Sequence, residues 1–130
     1  MKPIEWHDDL SVGNDHMDNQ RKVIIHLMNM LLRQQGSLAS ALSHEFSVLL
    51  ARLRIVVAKH FMEEEILLEQ NDCPCLEEHA VDHAYIVFKL SETDAMAEEK
   101  IVHQRIPLLC GMLATHFATQ DIEYRDYLTA

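Results

Sequence analysis

From Met17 onward, apolar side chains recur at intervals of three, four and seven residues: Met17, Ile24, Leu27, Met28 and Leu31. That period is the face of an amphipathic helix of about 3.6 residues per turn, and Gly36-Ser37 stops it. A longer stretch from about Leu38 to Gln70 contains neither glycine nor proline and keeps helical spacing throughout, predicting a second helix. Asn71-Asp72-Cys73-Pro74 then turns the chain. Pro74 suits the first turn of a third helix, Cys75 to about Glu99, because proline's missing N–H would be unpaired there anyway. A fourth helix is expected to begin around Val102 to Pro107 and run to about Leu128, with Pro107 in its first turn, since a deeper proline breaks a hydrogen bond and clashes. Residues 1–17, with Pro3, Trp6 and Gly13, show no sustained period and read as an ordered arm whose Trp6 docks on the body. Four helices of comparable length with short connections predict an all-α, up-down-up-down four-helix bundle. No internal repeat or low-complexity tract interrupts the chain, so residues 1–130 are expected to form a single domain.

Composition narrows the function. The chain of 130 residues carries 11 Lys plus Arg against 21 Asp plus Glu, a net charge of −10 with histidine neutral. Such a chain is repelled by phosphate backbones and anionic lipid, and its longest basic cluster is the pair Arg21-Lys22, so neither nucleic acid nor a membrane surface is an expected partner. No apolar run approaches the roughly 18 to 20 residues needed to span a bilayer, and the N-terminus, MKPIEWHDD, is acidic where a signal peptide would be basic. A soluble, cytoplasmic protein is expected. Three cysteines fit a reducing compartment better than a disulfide framework. Cys73 and Cys75 make a poor zinc signal without a second pair, and Cys110 reads as core.

Nine histidines are many for this length, and their placement relative to acids is informative. His60 and Glu64 are four apart, as are His79 and His83, so each pair projects from one helix face. His116 and Asp121 are five apart, about 140° around a regular helix, and a local π-bulge is expected to align them. Any one pair is commonplace. Together they place one pair on each of three helices, in stretches that otherwise read as apolar core. Imidazole and carboxylate are ligands that iron, manganese and zinc accept, and such a buried cluster without a cation would be costly.

At these residues the chain resembles the hemerythrins, and among them the bacteriohemerythrins. The resemblance rests on IEWHDDLSVG at 4 to 13, HFMEEE at 60 to 65, H-x-x-x-H at 79 to 83 and HFATQDIEYRDYL at 116 to 128. It implies a four-helix bundle holding two bridged non-haem irons that bind dioxygen reversibly. It also implies that His79, His83 and His116 ligate one iron and His60 the other, with Glu64 and Asp121 bridging. One residue departs. Where the family's first helix has D-x-Q-H, this chain has Asp18-Asn19-Gln20-Arg21. A guanidinium has no free lone pair and cannot coordinate a metal.

Arg21 lies on the apolar face of its helix, where it needs a partner, and Glu64 and Asp121 are the obvious ones. His16, near the helix start, is a remote stand-in for the missing ligand, and His26 should face solvent. Three pictures stay open. Both ions remain, with the second weakly held; or Arg21 supplies positive charge in place of the second ion; or Arg21 passes its head to solvent with its stem packed inside. Glu63 and Glu65 are expected on a solvated face, Phe117, Tyr124 and Tyr127 in packing, and the methionines as core filler. His7, His44 and His103 receive no role. The expected function is dioxygen carriage, storage or sensing by a non-haem iron binder. The alternatives are a redox enzyme reducing dioxygen or peroxide, favoured by open iron positions beside a cation, or a degenerate regulatory module with one metal or none.

Overall fold

A computed structural model describes residues 2–34, 44–74, 76–95, 99–119 and 124–129. Four long helices dominate: α1 (Asp15–Gln34), α2 (His44–Gln70), α3 (Leu76–Asp94) and α4 (Glu99–Ala118), followed by a short α5 (Arg125–Leu128). Each long helix packs on its neighbour in sequence, and α4 closes the ring against α1, giving a four-helix bundle. Among the described residues no helix is long and apolar enough to cross a membrane.

The buried stripes explain the packing. Met17, Arg21, Ile24, Met28 and Leu31 line α1; Leu50, Leu53, Val57, His60, Glu64 and Leu68 line α2; His79, His83, Ile86 and Leu90 line α3. All follow steps of three or four residues, which keep one helix face on a bundle axis. The apolar members separate into two cores. A large one runs from Ile24 and Leu31 through Leu53, Phe61, Ile86, Leu113 and Phe117. A small one holds Val12, Met17, Leu68, Cys73 and Leu128. Arg21, His60, Glu64, His79, His83 and His116 fall between them, as one polar layer across the bundle.

The ends of the helices are built from local signals. Asn14 caps α1 by accepting from the Met17 N–H at 3.1 Å, and its Nδ2 donates to Leu128 O at 3.1 Å. At the end of α2, Cys73 N–H bonds to Leu68 O at 2.9 Å and Asp72 N–H to Glu69 O at 3.1 Å, with Asp72 in the left-handed region at φ 54°. That double bond pattern is a Schellman stop, sealed by contact between Leu68 and Cys73 in the small core. The arm is ordered as expected. Ile4 and Asn29 exchange two hydrogen bonds of 2.8 Å, and Trp6 packs on the large core with Lys22 Nζ 4.9 Å from its ring. Asp18 accepts from Ser11 Oγ at 2.5 Å and from Val12 N–H at 3.0 Å, drawing the arm across the start of α1.

Two expectations on α4 meet different outcomes. Pro107 lies inside the helix rather than in its first turn, because α4 begins earlier, at Glu99. Val102, Ile106, Leu109, Cys110 and Leu113 form one buried stripe on both sides of the proline. Continuing that stripe offsets the roughly 3 kcal/mol that an interior proline costs. Of the stretch from His116 to Asp121, where a π-bulge is expected, residues 116–119 keep the α-helical pattern, with Thr119 N–H bonded to Thr115 O at 3.0 Å, and residues 120 and 121 lie outside the described ones. Cys110 is core as expected, and burial pushes its thiol up to about 12. Replacing Asn14 with Ala removes a helix cap and a tether to the C-terminal segment together. A loss of about 2 kcal/mol is expected in urea unfolding, with the m-value unchanged.

Candidate metal centre

Glu64 stands at the middle of the polar layer with 0% of its surface exposed. Its Oε1 is hydrogen-bonded to His79 Nε2 and lies 3.4 Å from His83 Nε2. His83 Nε2 in turn lies 3.0 Å from His116 Nε2. One ligand atom from each of Glu64, His79, His83 and His116 can be chosen so that all lie within 4.8 Å of one another, and all four residues are buried. Three helices supply them: α2 the carboxylate, α3 two imidazoles one turn apart, and α4 the third imidazole. With bonds of about 2.1 Å, donors around one first-row ion lie about 3.0 to 3.4 Å from their neighbours, which matches the His83–His116 and His83–Glu64 separations. One carboxylate and three imidazoles suit iron, manganese or zinc.

The rings are held in place by groups around them. Phe61 stacks on His83 with centroids 3.8 Å apart, and Tyr124 meets His79 edge-on at 5.1 Å. His83 Nδ1 lies 2.9 Å from Glu65 Oε2, which fixes the proton on Nδ1 and leaves the Nε2 lone pair facing the cluster. Glu65 is therefore not a member of a solvated face; its side chain is only 32% exposed and its carboxylate orients a cluster histidine. Glu63 is also partly covered. It accepts from Gln20 Nε2 and lies 2.9 Å from His16 Nε2, and these hydrogen bonds, Gln20 foremost, hold its carboxyl below the usual glutamate range. Gln20 Oε1 then accepts from His60 Nδ1 at 2.8 Å. A chain of polar contacts thus runs from His60 through Gln20 and Glu63 to His16, which is 65% exposed at the surface. His16 is accordingly no stand-in within the cluster, and His26 is exposed as expected.

The first helix contributes Arg21, with 0% exposure. Its Nη2 donates to Glu64 Oε2 at 3.2 Å and its Nη1 to Leu10 O at 3.2 Å, while Cζ sits 5.3 Å from the Phe117 ring centroid. The picture of a head passed to solvent is overturned: the guanidinium is enclosed by the arm, α2 and Phe117. Glu64 is its partner as expected, and Asp121 lies outside the described residues. His60 Nε2 lies 3.4 Å from Glu64 Oε2 without hydrogen-bond geometry, beside the four-residue cluster rather than within it. The two oxygens of Glu64 therefore face different groups, Oε1 toward His79 and His83, Oε2 toward Arg21 and His60.

Gln20 and Glu65 escaped sequence reasoning. Gln20 had a signal in its place within the D-x-Q-H pattern, and Glu65 in its adjacency to Glu64. Neither spacing announces a contact across helices.

A ring of four helices thus encloses, at its centre, a carboxylate and three imidazoles that could hold a metal ion. Along most of its length the chain is similar to proteins named bacteriohemerythrin. The chain is 28% identical to a bacteriohemerythrin of Stenotrophomonas maltophilia over 132 residues, covering 100% of this chain and 84% of the relative. It is 29% identical to a bacteriohemerythrin of Pseudomonas aeruginosa, covering 97% of this chain and 82% of the relative. For a bacteriohemerythrin of Campylobacter jejuni the identity is 26%, covering 91% and 90%. No family model and no solved structure matches.

In metal-free protein Arg21 is a direct counter-charge to Glu64. Arg21→Met is expected to lower the stability of that form by about 3 to 5 kcal/mol, read from chemical denaturation, because it leaves a buried carboxylate without its cation.

Proposed function

We propose that the protein holds non-haem iron between Glu64, His79, His83 and His116 and binds dioxygen there reversibly, without turning over a substrate. The observation that carries this reading is the convergence of four buried donors from three helices, supported by similarity to proteins named bacteriohemerythrin along nearly the whole chain. Bound ferrous iron would supply the electron density that a diatomic ligand draws on.

The chain's own residues do the rest. Glu65 holds the His83 ring in the ligating tautomer, and Phe61 prevents that ring from turning. Phe61 and Phe117, both buried, cover part of the cluster with apolar surface, which favours release of an intact neutral ligand over proton-driven reduction. Two surface clefts border the cluster, one of about 630 Å³ at Phe61, Glu65 and His83 and one at His116. A cleft of about 410 Å³ between α3 and α4, lined by Tyr85, Ile86, Gly111, Met112 and Thr115, reaches His116. At Gly111 an added Cβ would meet nothing within 4 Å, so the cleft wall is open at that point.

Metal analysis of the purified protein, with visible spectra of the ferrous form before and after exposure to air, tests the reading. Retained iron is expected, with a new absorption band in air that disappears on removal of oxygen. A protein that takes up no iron, or one that consumes added reductant in air without a stable adduct, would overturn it. His83→Ala is expected to lose most of the iron. Glu65→Ala, with its helix content unchanged, is expected to weaken iron retention against a competing chelator by about tenfold.

A further inference from the structure

We infer that the cluster is a one-metal site, in which the Arg21 guanidinium occupies the side of Glu64 where a second cation would bind and His60 stays outside the coordination sphere. The inference rests on the proposed iron-binding reading and narrows it. Its ground is the division of Glu64. On the Oε1 side, a metal finds Glu64, His79, His83 and His116 with donor atoms within 4.8 Å of one another. On the Oε2 side, the described residues offer one imidazole nitrogen, His60 Nε2 at 3.4 Å, and an oxygen already accepting from Arg21 at 3.2 Å.

Arg21 is well fixed in that position. Its stem belongs to the buried stripe of α1 between Met17 and Ile24, its Nη1 is bonded to Leu10 O, and Phe117 covers its Cζ. A guanidinium in a protein is a permanent cation, unlike an imidazole or an ammonium. A divalent ion brought to Oε2 would meet that like charge beside two groups that are both 0% exposed, Arg21 and Glu64, where little screening is available. Among the described residues Glu64 is the carboxylate with 0% exposure, and Arg21 is a hydrogen-bonded counter-charge to it. The same contact gives the bundle an advantage before loading: Glu64 has a counter-charge whether or not metal has arrived.

Anaerobic ferrous loading of the wild-type chain, removal of loosely held metal by desalting, and metal analysis give the stoichiometry directly. One iron per chain is expected, and after oxidation an isolated high-spin ferric EPR signal should account for all of it. Two irons per chain, with that signal quenched by magnetic coupling, would overturn the one-metal assignment and leave the proposed iron binding intact. Absence of iron would overturn both. Arg21→His removes the guanidinium and adds a donor near Oε2, so a rise to two irons is expected, whereas Arg21→Lys keeps the charge and should remain at one. A folded Arg21→His chain that still holds one iron, or an Arg21→Lys chain that holds two, would overturn the part assigned to Arg21.

Discussion

A single carboxylate, enclosed without contact to solvent, sets the terms for the rest of this molecule. Desolvating an unpaired Glu64 would cost several kcal/mol, comparable to much of the stability of a domain this size. Its two oxygens are relieved in different ways: Oε1 by imidazoles from α3, Oε2 by a guanidinium from α1. Each relieving group is buried as well and brings its own demand for support. Arg21 is held by the carbonyl of Leu10, His83 by Glu65, and His60 by Gln20. The polar layer is thus a closed set of obligations that radiates from one residue to the arm and to the flanks of the helices.

The layer survives because of where it lies. Every member occupies a position that the helical period assigns to the core, so apolar residues one turn away on either side seal it: Met17 and Ile24 about Arg21, Val57 and Leu68 about His60 and Glu64. Interiors this well packed resist deformation, and that rigidity holds donors from three helices at separations a metal ion can use. The arm contributes to the same end. Asn14, Asp18 and the Ile4–Asn29 pair anchor it across the first helix, which is what brings the Leu10 carbonyl to Arg21. A site at the centre of the bundle is therefore partly secured by residues with no regular secondary structure.

Much of this was legible along the chain. Alternating steps of three and four announced four helices, and the same steps carried histidines and a glutamate into core positions, which is why His60, Glu64, His79, His83 and His116 could be singled out together. Arg21 was recognisable as a charge on an apolar face that needed a carboxylate. Pro107 differs because its local penalty is legible in the sequence, whereas the compensating stripe of buried residues on both sides forms only against the other helices. Glu65 differs for a related reason: its helix position points away from the axis, yet its carboxylate reaches His83 on the neighbouring helix.

Periodicity and residue type, read from the sequence alone, determined the four long helices, the faces they bury and the chemical identity of the candidate donors, because these depend on interactions within a few residues of chain. Tertiary structure decided what separates a list of ligands from a site. It assigned one oxygen of Glu64 to the histidine cluster and the other to Arg21, set His60 beside that cluster rather than in it, and recruited Gln20 and Glu65 to orient the rings. Those choices depend on how helices far apart in the chain are placed against one another, and no spacing along a single strand of residues encodes a distance between two helices.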